Sequence, residues 1–308
     1  NFALDHGEIG IGSKFETQQR FPNEFFLPTI FLEKNCDVNE KARVIERFGE
    51  QHGYPLILKP DIGLVGKGIV KIESTDDITR WCNAIEGNYL LQKFTPLEHE
   101  WGIFYQRQSG RPTISGINRK HFPTITGNGI DSIQTLAERH HRFTHHWQTF
   151  LQYHDVTHIP KAGEHIKLSF IGSHTMGCMF TDDTAILTEA LKARVVQLFA
   201  QQPGFNFGRI DVKAASESDL LRGDFVVIEV NGVSSLPTHM FDPKYSLSDA
   251  YRLFFSHGKQ LARIAAEQQH QVMPLMRHRD ILRKVITSQS LLEKVHNTLK
   301  NGTTKSTR

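Results

Sequence analysis

Two short apolar stretches, residues 207–213 and 225–232, most constrain what this chain can fold into. Each is typical of a buried β-strand, because apolar and β-branched residues surround a few polar ones. Side chains two residues apart on a strand point to the same face, so Glu229 and Asn231 share a face. If the two stretches pair side by side, Asp211 joins them. The sequence therefore predicts three oxygen-bearing side chains that meet at one point of a sheet.

Carboxylate and amide oxygens are hard ligands of the kind that Mg²⁺ prefers in proteins, where it leaves its other positions to water and substrate phosphates. Arg209 lies two residues before Asp211, and hence on its strand face, where a guanidinium can hold a phosphoryl oxygen. The alternative is a polar strand face without a function. The apolar surroundings favour a functional site, because buried polar groups need partners.

Composition bounds the class of protein. The chain has 308 residues, which allows one large domain or two modest ones. A hydrophobic content of 39% with 22% charged residues is typical of a soluble globular protein. No run approaches the roughly 20 apolar residues of a membrane helix, and no signal peptide is visible. The net charge of +3 is spread along the chain without interleaved aromatic residues, so neither a membrane nor a nucleic-acid partner is expected.

Cysteine and histidine usage gives two further expectations. Three distant cysteines match no metal or disulfide spacing, which predicts a reducing, cytoplasmic compartment. Four histidines, at positions 140, 141, 145 and 146, have helical spacings that could bind zinc, but no cysteine or carboxylate completes such a site. They are interpreted as an exposed polar helix face. The chain begins at Asn1, so we expect that a longer parent was trimmed and that residues 1–26 are an arm or the remnant of a preceding domain.

A lysine and a glycine-rich loop form the second notable feature. Lys59 lies in a short apolar strand, residues 54–60, where an ammonium is costly unless an anion awaits it. Gly63, Gly66 and Gly68 follow, with a spacing that lets backbone N–H groups approach phosphate oxygens. The order G-x-x-G-x-G matches neither the dinucleotide fingerprint nor the P-loop. An ordinary glycine-rich hairpin remains the alternative, and Lys59 favours a phosphate-covering loop.

The remaining periodic segments supply the scaffold. Residues 98–105 and 111–120 are predicted to form a strand hairpin, followed by a cationic loop over residues 118–129. A strongly periodic helix, residues 188–201, precedes the Asp211 strand as a β-α-β crossover would require. A second long helix is predicted over residues 248–268.

Taken together, these motifs carry a resemblance over residues 26–268. Residues 119–136 are similar to the R-x-P-x-x-V-x-G-D-G segment of cyanophycin synthetase and bifunctional glutathione synthetase, and residues 159–168 resemble a later segment of the same enzymes. The strands predicted over residues 207–213 and 225–232 resemble the metal motif of D-alanine–D-alanine ligase. The chain therefore resembles the ATP-grasp superfamily, and within it the carboxylate–amine ligases. It departs from their pattern at Gln92, in its Gly-Asn-Gly turn and in residues 233–237, which leaves the acceptor specificity open.

The resemblance implies an α+β chain with the ATP-grasp fold, in which two α/β subdomains hold a nucleotide between their sheets. The first subdomain would span residues 27–95 and the second residues 96–270. Beyond the resemblance, residues 271–308 are predicted from their own pattern to form a peripheral helix, up to residue 300, and a polar disordered tail over residues 301–308.

The resemblance also implies a role for each matching residue. Lys59 would hold the ATP phosphates beneath the loop of Gly63, Gly66 and Gly68, while Arg209 would lie beside the transferring phosphate. The hinge that grips adenine would comprise Gln92, Lys93, Phe94 and Thr95. Glu98 or Glu100 would bind the ribose. The magnesium ligands would be Asp211, Glu229 and Asn231.

The implied activity is an ATP-dependent ligase that forms an amide or peptide bond through an acyl-phosphate. ATP and two Mg²⁺ ions would be the cofactors, with Mn²⁺ able to replace Mg²⁺. The substrates would be a small carboxylate and an amine, such as an amino acid or small peptide, and a homo-oligomer is compatible. Arg119, with Lys120, is a further catalytic candidate that would grip the acyl-phosphate or the donor carboxylate, unless both belong to a solvated basic loop. A phosphotransferase and a nucleotide-binding module without turnover remain alternatives.

Overall fold

The computed structural model describes residues 3–4, 7–8, 12–63, 66, 68–85, 87–143, 150, 154–268, 277–283, 286 and 290. Its α-helices are α1 (Lys14–Gln19), α2 (Val38–His52), α3 (Ile78–Ala84), α4 (Ile133–Arg139), α5 (Glu189–Phe199), α6 (Glu217–Arg222) and α7 (Leu247–Gln268). Its strands are β1 (Thr29–Leu32), β2 (Leu56–Pro60), β3 (Val70–Ile72), β4 (Tyr89–Lys93), β5 (His99–Gln108), β6 (Arg111–His121), β7 (Thr124–Thr126), β8 (His165–Lys167), β9 (Met179–Asp182), β10 (Phe207–Ala214) and β11 (Val226–Asn231).

A four-stranded antiparallel sheet, in the order β1-β4-β2-β3, forms the first half of the fold. Helix α2 packs on it through Ile45 and Phe48, which belong to the same buried apolar cluster as the strand residues. The helix begins where the Asp37 side chain accepts a hydrogen bond from Asn39 N, and it ends at Gly53, whose φ of 78° suits glycine. The loop from β2 to β3 carries the glycines.

A five-stranded sheet, in the order β11-β10-β5-β6-β9, forms the second half. Every neighbouring pair is antiparallel, and the predicted hairpin is confirmed as β5 and β6. Helix α5 covers one face through Leu191, Val195 and Leu198. The predicted β-α-β crossover is wrong: three antiparallel pairings separate β9 from β10, so these strands run in opposite directions.

The segment predicted as a cationic loop is mostly strand. Strand β6 runs to His121, so Arg119 and Lys120 lie in the sheet rather than in a loop. The short pair β7 and β8 follows, and with α4 it surrounds a small apolar cluster of its own. The α+β architecture of two sheets with packed helices is confirmed.

The N-terminal segment, expected to be an arm, packs into the molecule where it is described. Phe21 and Phe25 are buried in the core of the five-stranded sheet. At the other end, α7 lies on the surface with Ile264 buried. No helix among the described residues is both long and apolar enough to cross a lipid bilayer. The tail predicted to be disordered, residues 301–308, lies outside the described residues.

Candidate functional site

A cavity of about 490 Å³ lies between the two sheets. The first sheet contributes Lys59 and Gln92 to its wall, and the second contributes Asp211 and Glu229. The cavity is therefore a cleft between the two halves of the fold, where sequence analysis expected a nucleotide.

The three predicted oxygen ligands share one face of the second sheet. In the register of β10 and β11, Asp211 lies opposite Glu229 and Arg209 lies opposite Asn231. Asn231 Nδ2 lies 3.5 Å from Asp211 Oδ2. The predicted pairing of the two strands is confirmed, and it brings two carboxylates and one amide to the same point of the cleft.

Cationic side chains surround Asp211. Arg209 donates two hydrogen bonds to its carboxylate, at 2.8 and 3.0 Å. Lys120 Nζ lies 3.2 Å from Asp211 Oδ2 and 2.6 Å from Glu100 Oε1. Burial alone would lower the pKa of Lys120, but Asp211 and then Glu100 outweigh it and raise that pKa. Lys120 therefore keeps its charge, although its side chain is 4% exposed.

Glu229 is compensated by a lysine from the N-terminal segment. Lys14 Nζ lies 2.9 Å from Glu229 Oε1 and donates to the carbonyl of Gly63 at 2.8 Å. Burial alone would raise the pKa of Glu229, but Lys14 and Lys59 lower it to about 2. Lys14 thus connects the glycine loop to the metal-ligand candidates, a role that sequence analysis did not find.

A capping interaction places Lys14. Ser13 Oγ accepts from the backbone N–H of Glu16 at 3.0 Å and donates to Asp61 Oδ1 at 2.9 Å. Asp61 also accepts from the Phe15 N–H at 3.0 Å, which ties the start of α1 to the end of β2. The Ser-x-x-Glu spacing signals a helix start in the sequence. That signal predicts α1, but not the partner of Lys14.

Lys59 is buried without an acidic partner in direct contact among the described residues. Its Nζ donates to Gln92 Oε1 and to the carbonyl of Ile228, both at 3.2 Å, and the residue is 7% exposed. Burial lowers the pKa of this ammonium to about 8. The neutral acceptors orient the lysine and leave its charge for an anion in the cleft.

Most of the predicted nucleotide-binding residues line the cleft. The hinge residues Gln92, Lys93, Phe94 and Thr95 all do so. Of the two candidate ribose ligands, the structure places Glu100 in the cleft wall; Glu98 is not part of this wall. Glu100 faces the same side of β5 as Gly102, which lies opposite Asp211, whereas Glu98 precedes the first residue of that strand, His99.

Two of the three loop glycines also line the cleft. Gly63 and Gly66 are part of its wall, and Gly68 is not. Gly66 has a φ of +77°, and a Cβ atom there would lie 2.3 Å from Ile171 Cγ2. The loop therefore contacts the second half of the fold at a position where only glycine fits without displacement.

Arg119 does not reach the cleft, contrary to the prediction. It pairs with Glu217 at 2.9 Å, and its guanidinium lies over the Trp101 ring, 5.3 Å from the centroid. Neighbouring residues of a strand face opposite sides, so Lys120 enters the cleft and Arg119 faces α6. Residues 119 and 120 belong to both the predicted strand and the predicted loop, and only the strand interpretation separates their two faces.

Two further residues near the site were not predicted. Lys213 lines the cleft, with Nζ 3.9 Å from Glu100 Oε2. Glu8 accepts a hydrogen bond from the backbone N–H of Gly232, next to Asn231. Burial and then Glu229 raise the pKa of Glu8 to about 7. Lys213 follows Asp211 at strand spacing and could have been found; Glu8 lies in a segment without periodicity.

The cleft carries an excess of positive charge. Its charged wall residues are Lys14, Lys59, Lys93, Lys120, Arg209 and Lys213 against Glu100, Asp211 and Glu229. Six cations against three carboxylates leave a surplus of three positive charges, which suits a polyanionic ligand.

Asp211, Glu229 and Asn231 fit a magnesium ion by their chemistry. Their donor atoms are hard oxygens on one sheet face, and two of them are carboxylates.

No group of three or more histidine, cysteine, aspartate or glutamate side chains suited to a metal occurs among the described residues. Of the four histidines considered for zinc, those at positions 145 and 146 lie outside these residues.

Comparisons with known proteins give structural neighbours but no sequence relatives. No protein-family model matches the chain, and no curated protein matches it. Among solved structures, it is similar to a bifunctional glutathione synthetase from Pasteurella multocida, with 13% identity, a TM-score of 0.38 and coverage of 75% of this chain and 34% of that chain. It is similar to the D-alanine–D-alanine ligase of Bacillus anthracis, with 15% identity, a TM-score of 0.44 and coverage of 82% and 65%. It is also similar to carboxyaminoimidazole ribonucleotide synthase from Aspergillus clavatus, with 14% identity, a TM-score of 0.43 and coverage of 73% of this chain and 45% of that chain.

These structures are ATP-grasp ligases, the superfamily that the sequence itself resembles. The chain spans between 34% and 65% of their lengths. TM-scores of 0.38 to 0.44 establish no activity for this chain.

Proposed function

We propose that the chain is an ATP-dependent ligase that joins a small carboxylate to an amine through an acyl-phosphate. The observation that carries this proposal is the charge of the cleft, where six cations from both halves of the fold face three carboxylates. Such a surplus suits a triphosphate, and the two carboxylates and amide of β10 and β11 suit the magnesium that accompanies it.

The nucleotide would lie with its base at the hinge and its phosphates at the lysines. Ile57, Phe94 and Ile228 give the hinge end of the cleft apolar walls. Lys59 and Lys14 contact β11, through the Ile228 carbonyl and Glu229, whereas Arg209 and Lys120 contact Asp211 of β10. Backbone N–H groups of the glycine loop would cover the phosphates.

Asp211, Glu229 and Asn231 would hold Mg²⁺, which neutralises phosphate charge and orients the phosphoryl group for transfer. Arg209 would then exchange its bonds with Asp211 for phosphoryl oxygens, because both carboxylate and phosphate fit its planar fork. The positive side chains would lie where negative charge spreads during phosphoryl transfer, and would then stabilise the transition state more than the ground state.

The reaction would proceed in two balanced steps. A carboxylate oxygen of the first substrate bonds to the γ-phosphorus while the bond to the bridging oxygen breaks, and ADP leaves. The amine nitrogen of the second substrate then attacks the acyl carbon, phosphate leaves with the electrons of the carbon–oxygen bond, and the nitrogen loses a proton. Closure of the glycine loop would exclude water that would otherwise hydrolyse the acyl-phosphate.

Measurement of ADP release tests this proposal. With ATP and Mg²⁺, we expect release to depend on an added carboxylate in pools of amino acids and small acids, and to rise when amines are added. Glu229→Gln should abolish release, whereas Glu98→Gln, outside the cleft wall, should retain it. Release that never depends on a carboxylate would contradict a ligase. Release with a stable phosphorylated product and no need for an amine would identify a phosphotransferase instead.

The free cysteines indicate the cellular compartment of the protein. Cys36, Cys82 and Cys178 are all unpaired in the structure. Free thiols persist in reducing compartments, which supports a cytoplasmic location.

A further inference from the structure

One wall of the cleft carries no charged side chain. The residues of the 234–241 segment that line the cleft are Ser234, Ser235, Leu236, Thr238 and Phe241, and we call them the uncharged wall. The wall begins at Ser234, three residues after Asn231, and ends in the short 3₁₀ helix Thr238–Phe241. The charged residues of the cleft come instead from the strands and from α1.

The uncharged wall exposes apolar surface to the cleft. Leu236 is 46% exposed and Phe241 is 40% exposed, although both line a concave site. The His174 ring lies 5.0 Å from that of Phe241 and 5.6 Å from that of Phe180, which fixes the aromatic side of the wall. Exposed apolar side chains in a cleft are typical of a site that an apolar ligand covers.

The hydroxyl groups of the wall present oxygen lone pairs rather than hydrogens. Each hydroxyl donates its hydrogen to a protein acceptor: Ser234 to the carbonyl of Glu8 at 3.1 Å, Ser235 to the carbonyl of Gly232 at 2.8 Å, and Thr238 to Asn118 Oδ1 at 3.0 Å. A hydroxyl has one hydrogen and two lone pairs, so only acceptor positions remain for a ligand. The ligand group that fits them is an N–H donor.

We propose that the uncharged wall is the subsite for the amine substrate, and that this substrate is a primary amine with an apolar or aromatic body. The inference rests on the proposed ligase function. The amine would point its N–H groups at the hydroxyl oxygens, while its body covers Leu236 and Phe241. The wall begins three residues after Asn231, which places the amine beside the phosphate end of the cleft.

The chemistry of the wall excludes a charged body. A carboxylate or guanidinium on the substrate would be buried against Leu236 and Phe241 without an opposite charge from the wall, which is costly. The nucleotide base does not need this surface, because Ile57, Phe94 and Ile228 already provide apolar walls at the hinge.

Calorimetric titration in the presence of Mg²⁺ and a non-hydrolysable ATP analogue tests the inference. The probes are phenylalaninamide and leucinamide, each as both enantiomers, against isoglutamine and argininamide, which carry charged bodies. A fifth probe, 3-phenylpropanamide, lacks the amine. We expect the apolar amino amides to bind at least about tenfold more tightly than the charged ones and than 3-phenylpropanamide.

A substitution in the wall should invert the preference. Leu236→Glu places a carboxylate against the bound body, so argininamide should gain affinity and leucinamide should lose it. Leu247→Glu is the matched control, because Leu247 is an apolar residue 75% exposed outside the cleft wall, and it should change neither affinity. Retained binding of the ATP analogue shows that Leu236→Glu is folded.

The outcomes separate the inference from the proposed function. Binding of the analogue together with equal affinity for charged and apolar amides, or with no affinity for any amide, overturns the inference and leaves the nucleotide site intact. Equal affinity for 3-phenylpropanamide and phenylalaninamide overturns the amine subsite. Failure of the analogue itself to bind overturns the proposed function, and the inference with it.

Discussion

At the scale of single residues, Lys59 gives the clearest indication that the site binds an anion. It is a buried lysine whose partners, Gln92 and the Ile228 carbonyl, are neutral. Its positive charge is therefore left without a directly paired carboxylate among the described residues. Burial of such a charge costs free energy, so its presence is explained by a ligand that neutralises it.

Substitution of Lys59 should separate binding from stability. We expect Lys59→Met to weaken binding of an ATP analogue by about ten- to a hundredfold, since a charge-assisted hydrogen bond is lost. The free energy of unfolding should not fall, because the buried charge is removed with its desolvation cost. Lys41→Met is the matched control: Lys41 is 4% exposed and donates to the Lys34 carbonyl at 3.1 Å, outside the cleft. Calorimetry measures the affinity for the ATP analogue, and urea unfolding measures the free energy of unfolding. Unchanged affinity in Lys59→Met would contradict a role of Lys59 in nucleotide binding.

Nucleotide affinity should also depend on pH through Lys59. Its pKa is lowered to about 8, so the ammonium is charged below that pH and loses its proton above it. Affinity for a phosphate ligand is therefore expected to be full near neutral pH and to fall by about tenfold between about pH 7.5 and about pH 9.5. In Lys59→Arg, whose side chain stays charged, the fall should disappear. Equal pH profiles for the two proteins would argue against this assignment.

At the scale of secondary-structure elements, strand alternation decided which predictions succeeded. The pairing of β10 with β11 followed from the sequence because apolar residues alternate with Asp211 and Glu229. The same rule, applied to the end of the predicted 111–120 strand, separates Lys120 from Arg119, because neighbouring residues of a strand face opposite sides. No local pattern could bring Lys14 to Glu229, because that contact joins α1 to β11 across more than two hundred residues.

The glycine loop gives a prediction for one element. Gly66 and Gly53 have nearly equal φ values of +77° and +78°, but a Cβ at Gly66 meets Ile171, whereas nothing lies within 4 Å at Gly53. Both Gly→Ala variants should lose about 1 kcal/mol of stability through the backbone conformation. Only Gly66→Ala should also weaken binding of the ATP analogue, and Ile171→Ala should restore part of it. Equal affinity in Gly66→Ala and Gly53→Ala would show that this contact does not matter for binding.

The 3₁₀ helix Thr238–Phe241 should make stability sensitive to acid. Burial, the largest cause, lowers the pKa of His239; Asp182 opposes the shift and His257 adds to it. The unfolded chain binds the proton more readily, so stability is full above the ordinary histidine pKa of about 6.5 and falls below it.

Urea unfolding at about pH 7.5 and about pH 5.5 measures this effect. The loss of unfolding free energy on acidification should be smaller in His239→Gln than in the unsubstituted chain. His165→Gln, a change at an exposed histidine, should leave this loss of unfolding free energy unchanged. If His239→Gln retains the full loss, another group is responsible.

At the scale of the whole molecule, the site exists only because two sheets face each other. The sequence patterns predicted part of each half, such as the strand of residues 54–60 in the first and the 98–105 and 111–120 hairpin in the second. The resemblance predicted that a ligand lies between the halves. The sequence could not predict which side chains cross the cleft, because such contacts depend on the relative placement of the two sheets. Lys59 of β2 reaching the Ile228 carbonyl of β11 is one such contact.

We expect the two halves of the fold to bind a magnesium nucleotide together, through Asp211, Glu229 and Asn231. Calorimetric titration of a non-hydrolysable ATP analogue, with and without Mg²⁺, tests it most directly. We predict one binding site whose affinity rises with Mg²⁺ in the unsubstituted chain and in Glu98→Gln, and loss of the Mg²⁺ dependence in Glu229→Gln. Absence of nucleotide binding, or the same Mg²⁺ dependence in Glu229→Gln, would contradict the account.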